Sequence, residues 1–179
     1  MSTTPVKSHP MHGVTPRERS PKPIDAGVEI GHVHLKTADI DRVHNFYVGI
    51  LGFDVIFRMR DALFLSAGGY HHHLGFNTWE SKGGNPPPPG TTGLYHVAIK
   101  YPTRAALGDA FRRLVAAAWP LDGYNDHGTH EALYLSDPDG NGLELAWDRP
   151  EGEWPKDDEG RLTFANRRLD LDGLLKEGA

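Results

Sequence analysis

The chemistry available to this sequence rests on histidine. Eleven of its 179 residues are histidine and none is cysteine. The missing thiols remove disulfides, thiolate metal sites and cysteine nucleophiles together. What remains is the imidazole, which titrates near neutrality and is the commonest metal ligand. Two of these histidines occupy matching places. His32-Val33-His34-Leu35-Lys36 is echoed 64 residues later by His96-Val97-Ala98-Ile99-Lys100, and Ala62-Leu63-Phe64-Leu65-Ser66 is echoed 70 residues later by Ala132-Leu133-Tyr134-Leu135-Ser136. The echoes fall in the same order, so the chain reads as a duplicated unit of roughly 60 residues.

In an extended strand successive side chains point to opposite faces. Val33 and Leu35 then share one face, with His32 and His34 on the other. Val97 and Ile99 lie opposite His96, and Leu143 and Leu145 lie opposite Glu144. The aliphatic faces belong under helices, so His32, His96 and Glu144 point from three strands into a common hollow. Two imidazoles and one carboxylate make a facial triad suited to Fe(II), or to Mn(II) or another divalent ion of N/O preference, with coordination positions left open. Taken singly, a strand histidine is more often a half-exposed sheet residue than a ligand, and a strand glutamate is more often solvated. The equivalence of His32 and His96 in the two units is what favours the metal reading. His34, on the same face, is either a donor that orients a ligand or an exposed imidazole.

Each unit needs a strand, a helix and further strands to place these groups. Opening strands are predicted at residues 30–36 and 94–100. In the first unit Val43, Phe46, Tyr47 and Ile50 form one apolar helical stripe, with Asp39 as N-cap and Gly52 as stop. In the second, Leu107, Ala110, Phe111, Leu114 and Ala118 form the stripe, Thr103 caps it and Pro120 ends it. Strands follow at 53–59, 62–66 and 72–76, then at 133–135 and 142–147. The expected fold is α+β: paired βαβββ modules whose sheets form a curved mixed cup with the helices outside. The boundaries are an N-terminal arm at 1–27, a first module at 28–80, a Pro/Gly-rich connector at 81–92, a second module at 93–150 and a tail at 151–179. Four consecutive prolines at 86–89 exclude helix or central strand from the connector. The tail's apolar patch, Leu169, Leu171, Leu174 and Leu175, is expected to pack on the same domain or on a second subunit in a homodimer.

Three stretches resemble a known family. They are Ile30-Gly31-His32-Val33-His34-Leu35 through Phe46-Tyr47, then Leu51-Gly52-Phe53, and Asp137-Pro138-Asp139-Gly140-Asn141-Gly142-Leu143-Glu144-Leu145. Together they look like the vicinal oxygen chelate superfamily, which includes glyoxalase I, bleomycin and fosfomycin resistance proteins, and type I extradiol dioxygenases. The resemblance covers residues 28–155 and is nearest to small proteins of the catechol 2,3-dioxygenase type. It implies His32, His96 and Glu144 as metal ligands. It implies His72, the second of a His-His pair, as acid/base, and Tyr134, ten residues before Glu144, as a substrate contact. The family's second histidine, ahead of that tyrosine, matches His127, with His130 as the alternative.

Strand parity complicates the assignment. His72 shares a face with Leu74 and Phe76, so without a bulge His73 enters the cup instead and becomes the pseudo-symmetric partner of Glu144. A fourth ligand there would resemble glyoxalase I. The resemblance therefore implies Fe(II)-dependent extradiol cleavage of a small aromatic diol by O2. A glyoxalase-type isomerase and a drug-binding resistance protein are its rivals. Phe64, Trp79 and Trp147 are available as cup lining or as core.

The formal net charge of −5 argues against a nucleic-acid partner. No segment approaches the about 20 apolar residues of a membrane span, and the N-terminus has no apolar signal region. A cytoplasmic protein is expected.

Overall fold

A computed structural model describes residues 20–178, so most of the expected N-terminal arm, residues 1–19, lies outside the described residues. The first module runs β1 (Val33–Lys36), α1 (Ile40–Tyr47), β2 (Asp54–Arg58), β3 (Ala62–Ser66) and β4 (Leu74–Asn77). The second runs β5 (Val97–Lys100), α2 (Arg104–Ala116), β6 (Gly123–Asp126), β7 (His130–Ser136) and β8 (Gly142–Asp148). A short helix, α3 (Leu171–Glu177), ends the chain. Each module is therefore βαβββ, and the strand β6 adds one that the sequence pattern did not pick out.

The two sheets have the same plan, β1-β4-β3-β2 and β5-β8-β7-β6. In each, the first strand lies parallel to the last and at a sheet edge. The helices begin where expected. The Asp39 carboxylate accepts from the Asp41 and Arg42 amides, and the Thr103 hydroxyl accepts from the Ala106 amide. These caps satisfy amides that have no partner inside the helix. One expectation fails at the end of α2. Ala118 belongs to the expected apolar stripe, but the helix stops at Ala116 and Ala118 takes φ 52° in an exposed turn. The turn carries Trp119 back to the first module, where its ring lies 4.5 Å from that of Phe46.

The modules share one core. Val43, Phe46 and Tyr47 of α1 join Leu107, Phe111 and Leu114 of α2 and the leucines of β3, β7 and β8 in a single buried cluster. A polar clamp closes the same junction. The Asp137 carboxylate accepts from the amides of Asp139 (2.9 Å) and Asn141 (2.8 Å), from the Asn141 side chain (3.0 Å) and from the Tyr47 hydroxyl (3.0 Å). Asp139 in turn accepts from the Thr37 hydroxyl, the Ala38 amide and the Arg42 guanidinium. The connector is also tied down, through the Gly83 amide to Ala38 O (2.9 Å) and the Ser81 hydroxyl to Thr37 O (2.9 Å).

The late apolar patch packs within the chain. Leu169 and Leu174 are buried, and α3 lies against α2. Gly108 permits the approach, since a Cβ there would sit 2.4 Å from Leu174 O and 2.8 Å from Gly178 N. Among the described residues no helix is long and apolar enough to cross a membrane.

Two stability outcomes follow. Gly108→Val should lower the unfolding free energy by about 1–3 kcal/mol, through overpacking against backbone that cannot yield. It should also expose residues 169–175 to limited proteolysis. Asp137→Ala should cost about 3 kcal/mol in urea denaturation, because it leaves the buried Tyr47 hydroxyl and the turn amides without their acceptor.

Candidate active site

Pairing register places the candidate residues. In the second module Ala98, Glu144 and Tyr134 lie side by side across β5, β8 and β7. His96 stands one residue ahead of β5. Glu144 is buried at 7% exposure, and each of its oxygens is engaged. His96 Nε2 is 3.0 Å from Oε2, His130 Nε2 is 3.1 Å from Oε1, and the Tyr134 hydroxyl is 3.1 Å from Oε1. His127 Nε2 lies 2.9 Å from the Tyr134 hydroxyl. His127 and His130 flank the turn between β6 and β7, and their rings are 4.6 Å apart. Both alternatives from the sequence thus belong to one cluster, His130 against the carboxylate and His127 against the tyrosine.

Burial by itself raises the Glu144 carboxyl. The hydrogen bond and charge of His130, the Tyr134 hydroxyl and the charge of His96 outweigh it and hold the group below the ordinary glutamate value. Tyr134 moves the other way, raised by burial and by the neighbouring Glu144 charge. The carboxylate is therefore charged and the phenol protonated at neutral pH.

The first module gathers a second group. The His72 ring lies 4.3 Å from that of His32 and 5.2 Å from Phe64, and the His34 ring lies 5.6 Å from Phe64. His71 Nδ1 is 2.9 Å from His72 Nδ1. Desolvation, then the charges of His32, His71 and His34, hold His72 below the ordinary histidine value, so it is neutral at pH 7.

The expectation that His73 is the pseudo-symmetric partner of Glu144 is corrected here. β4 starts only at Leu74, and the chain bends at His73. His73 turns back toward the Ser66 hydroxyl (3.1 Å) and the Ala67 amide (3.3 Å), while His72 stands beside His32. Nor is His73 the counterpart of Glu144. Val33 pairs with Leu74 and Val97 pairs with Leu143, so the residue equivalent to Glu144 is Gly75. A Cβ at Gly75 would meet the His34 ring at 2.9 Å, so His34 covers the space that a side chain there would take.

The three expected ligands are only partly brought together. His96 and Glu144 meet, whereas His32 makes its ring contacts with His71 and His72. Among the described residues no three His, Asp or Glu are gathered tightly enough to hold an ion. His32 and His96 line one cavity of about 1000 Å³ between the modules together with His73, whereas Glu144, Tyr134 and His72 lie outside its lining. The donor chemistry fits a divalent ion of N/O preference, and His130 and Tyr134 brace the carboxylate as outer partners of a metal ligand do.

Of the aromatic residues, Phe64 lies beside His34 and His72, and Trp79 is 5.9 Å from His34. Trp147 instead sits on the leucine face of β8 and packs into the core. Sequence reasoning missed Gly75, Thr129, whose hydroxyl is 2.8 Å from His130 Nδ1, and Ala165. Gly75 is revealed only by the register of β4 against β1 and β3. Nothing local points to Ala165.

Comparison with known proteins follows the same lines. The chain is 37% identical over 159 residues to the catechol-2,3-dioxygenase of Bacillus subtilis (strain 168), a match covering 86% of this chain and 53% of that one. It is 31% identical over 125 residues to biphenyl-2,3-diol 1,2-dioxygenase 3 of Rhodococcus globerulus, covering 66% of this chain and 63% of the relative. The chain thus spans about half to under two thirds of the length of these relatives. Among solved structures, a glyoxalase/dioxygenase from Nostoc punctiforme superposes with TM-score 0.58 at 17% identity, covering 73% of this chain and all (100%) of that one. A lactoylglutathione lyase from Agrobacterium tumefaciens superposes with TM-score 0.55 at 21% identity, covering 69% and 96%. At such identities the likeness is one of fold. The profile of the Glyoxalase/Bleomycin resistance protein/Dioxygenase superfamily spans residues 29–145, from just before His32 to just after Glu144. With the repeated strand order of the two modules running through that span and the His96–Glu144 pair inside it, the chain belongs to the glyoxalase/bleomycin resistance protein/dioxygenase superfamily.

Proposed function

We propose that this chain is an extradiol-type dioxygenase that opens the ring of a small aromatic diol with O2, using a divalent metal, Fe(II) first, held by His32, His96 and Glu144. The observation that carries this reading is Gly75. The first-module position equivalent to Glu144 has no side chain to offer, so the protein supplies at most three ligands from these positions. A three-ligand set leaves room for two vicinal oxygens and for O2, whereas a four-ligand set of the glyoxalase kind does not. The names of the two dioxygenase relatives support the same class.

When bound, the ion would supply positive charge that stabilises developing oxyanions and a common anchor for both reactants. The chain's own residues do the rest. His130, fixed at Nδ1 by Thr129, holds the Glu144 carboxylate in place. His72, held below the ordinary histidine value by desolvation and its histidine neighbours, is the neutral imidazole placed to accept a proton from a substrate hydroxyl. Tyr134 would hydrogen-bond a substrate oxygen, with His127 behind it at 2.9 Å. Phe64, between His34 and His72, gives the aromatic ring an apolar wall.

The protein reconstituted with Fe(II) under argon should turn catechol into a yellow ring-opened semialdehyde when air is admitted, and should do nothing without it. Isomerisation of a hemithioacetal under argon, with no oxygen uptake on catechol, would replace this reading with the glyoxalase-type one. His96→Ala should abolish metal binding measured by elemental analysis. His72→Phe should keep one metal per chain yet lower the ring-opening kcat by about 10²–10⁴-fold, the range for loss of a general base.

A further inference from the structure

The turn between β7 and β8 carries a chemically labile pair. Asn141-Gly142 is the one Asn-Gly step in the sequence. In such a step the glycine nitrogen can attack the asparagine side-chain carbonyl carbon, because glycine has no Cβ to block the approach. The bond from that carbon to the side-chain nitrogen breaks, ammonia leaves and a five-membered imide forms. Water then opens the imide to aspartate, or to isoaspartate, in which the main chain runs through the former side chain.

The fold demands both residues. A Cβ on Gly142 would overlap Tyr95 O and sit 3.1 Å from His96 Cβ, so only glycine fits beside the residues that lead into β5. Asn141 is tied to Asp137 at three atoms. Its amide donates to Oδ1 at 2.8 Å, its side-chain nitrogen donates to Oδ2 at 3.0 Å, and its carbonyl accepts from the Asp137 amide at 2.9 Å.

The same contacts shield the pair. Ring closure swings the Asn141 side chain onto the nitrogen that follows it, which breaks the bond to Asp137 Oδ2. The bonds at its amide and carbonyl deny the backbone the rotation that goes with that swing. Asp137 is itself held from the other module, by the buried Tyr47 hydroxyl at 3.0 Å. The shield is therefore complete only while the modules are docked.

We infer that Asn141 is a site of spontaneous deamidation gated by the junction between the modules: the Asp137 clamp protects it while they are docked, and opening of the junction exposes it to conversion. The loss of ammonia makes the change one-way. Aspartate at 141 lacks the amide donor and sets a second carboxylate against Asp137, where like charges repel. Isoaspartate lengthens the main chain by one carbon just ahead of β8, the strand that carries Glu144. A converted chain is thus barred from the docked arrangement it has left.

Peptide mapping by mass spectrometry tests this. The full chain is held in mildly alkaline buffer, folded or unfolded in urea, and the gain of one mass unit at Asn141 is followed with time. The folded chain should convert at least about tenfold more slowly, the worth of one hydrogen bond; equal rates overturn the inference. Tyr47→Phe removes only the donor from the other module. It should speed conversion of the folded chain about tenfold, because a clamp with one bond fewer opens more often, and leave the rate in urea unchanged. Arg42→Ala frees Asp139 from α1 at the exposed rim of the same junction. It should speed conversion about threefold, as loss of a surface ion pair allows, so the test stands even where Tyr47→Phe does not fold. Unchanged rates in the folded variants overturn the role of the junction. The converted chain, separated by its added negative charge on anion exchange, should unfold at a lower urea concentration; an unchanged midpoint overturns the claim that conversion bars redocking.

Discussion

A buried carboxylate governs how the two halves of this molecule sit. Asp137 lies in the turn between β7 and β8, and three of its four hydrogen bonds come from that turn itself. The fourth comes from Tyr47 in α1 of the other module. Burial pushes the Asp137 carboxyl above the ordinary aspartate value, against the pull of those bonds. A carboxylate so placed tolerates little loss of its donors. Asp139, two residues on, grips the loop between β1 and α1 through Thr37 and Ala38, and α1 itself through Arg42. The turn that leads into Glu144 is thus bolted to the loop that follows His32 and His34. Rotation of one module against the other would break these bonds and the contact of Trp119 with Phe46 together. The cavity onto which His32 and His96 open exists because that orientation is held.

Within this frame the two sheet faces divide the chemistry. One face carries leucine, valine and phenylalanine into the common core. Toward the sheet end the same face of β7 carries Glu131, buried but paired with Arg104 and Arg149 at 2.7 Å each. A buried charge of this kind is tolerated because it is matched on both sides. The other face carries the imidazoles, Tyr134 and Glu144. The duplication makes the halves comparable, and the comparison is informative where they differ. Tyr134 answers to Phe64, Glu144 to Gly75, and Ala98 to His34. The second module holds the carboxylate and its hydrogen-bonded brace, whereas the first offers a cluster of histidines beside an apolar wall.

Much of this was legible in the residues themselves. The repeated phrases gave the duplication, alternation put His96 and Glu144 on one face, and Asp39 and Thr103 marked the helix starts. Alternation is a local property of extended backbone, so sequence alone can carry it. It failed at His72 and His73, where the chain bends before β4 begins and the period of two is lost. The register of β4 against β1 then moved the counterpart of Glu144 from His73 to Gly75. Register depends on partners far away in the chain, and a shift of one residue reverses every face.

Other features depended wholly on tertiary structure. Ala165 is unremarkable in sequence, and its part in the site comes from a backbone carbonyl, which every residue carries. Only the return of the chain across β6 brings that carbonyl to His127. The leucines at 169–175 show the same division. Their apolar character marked them for burial, but the partner was settled by Gly108, whose missing side chain lets α3 lie against α2. Sequence determined the residue types, the duplication and the local faces, because these follow from covalent pattern and short-range sterics. Which residue answers to Glu144, which carbonyl meets the His127 ring and where the tail docks were decided by the tertiary structure, because each depends on the approach of groups that the chain holds tens of residues apart.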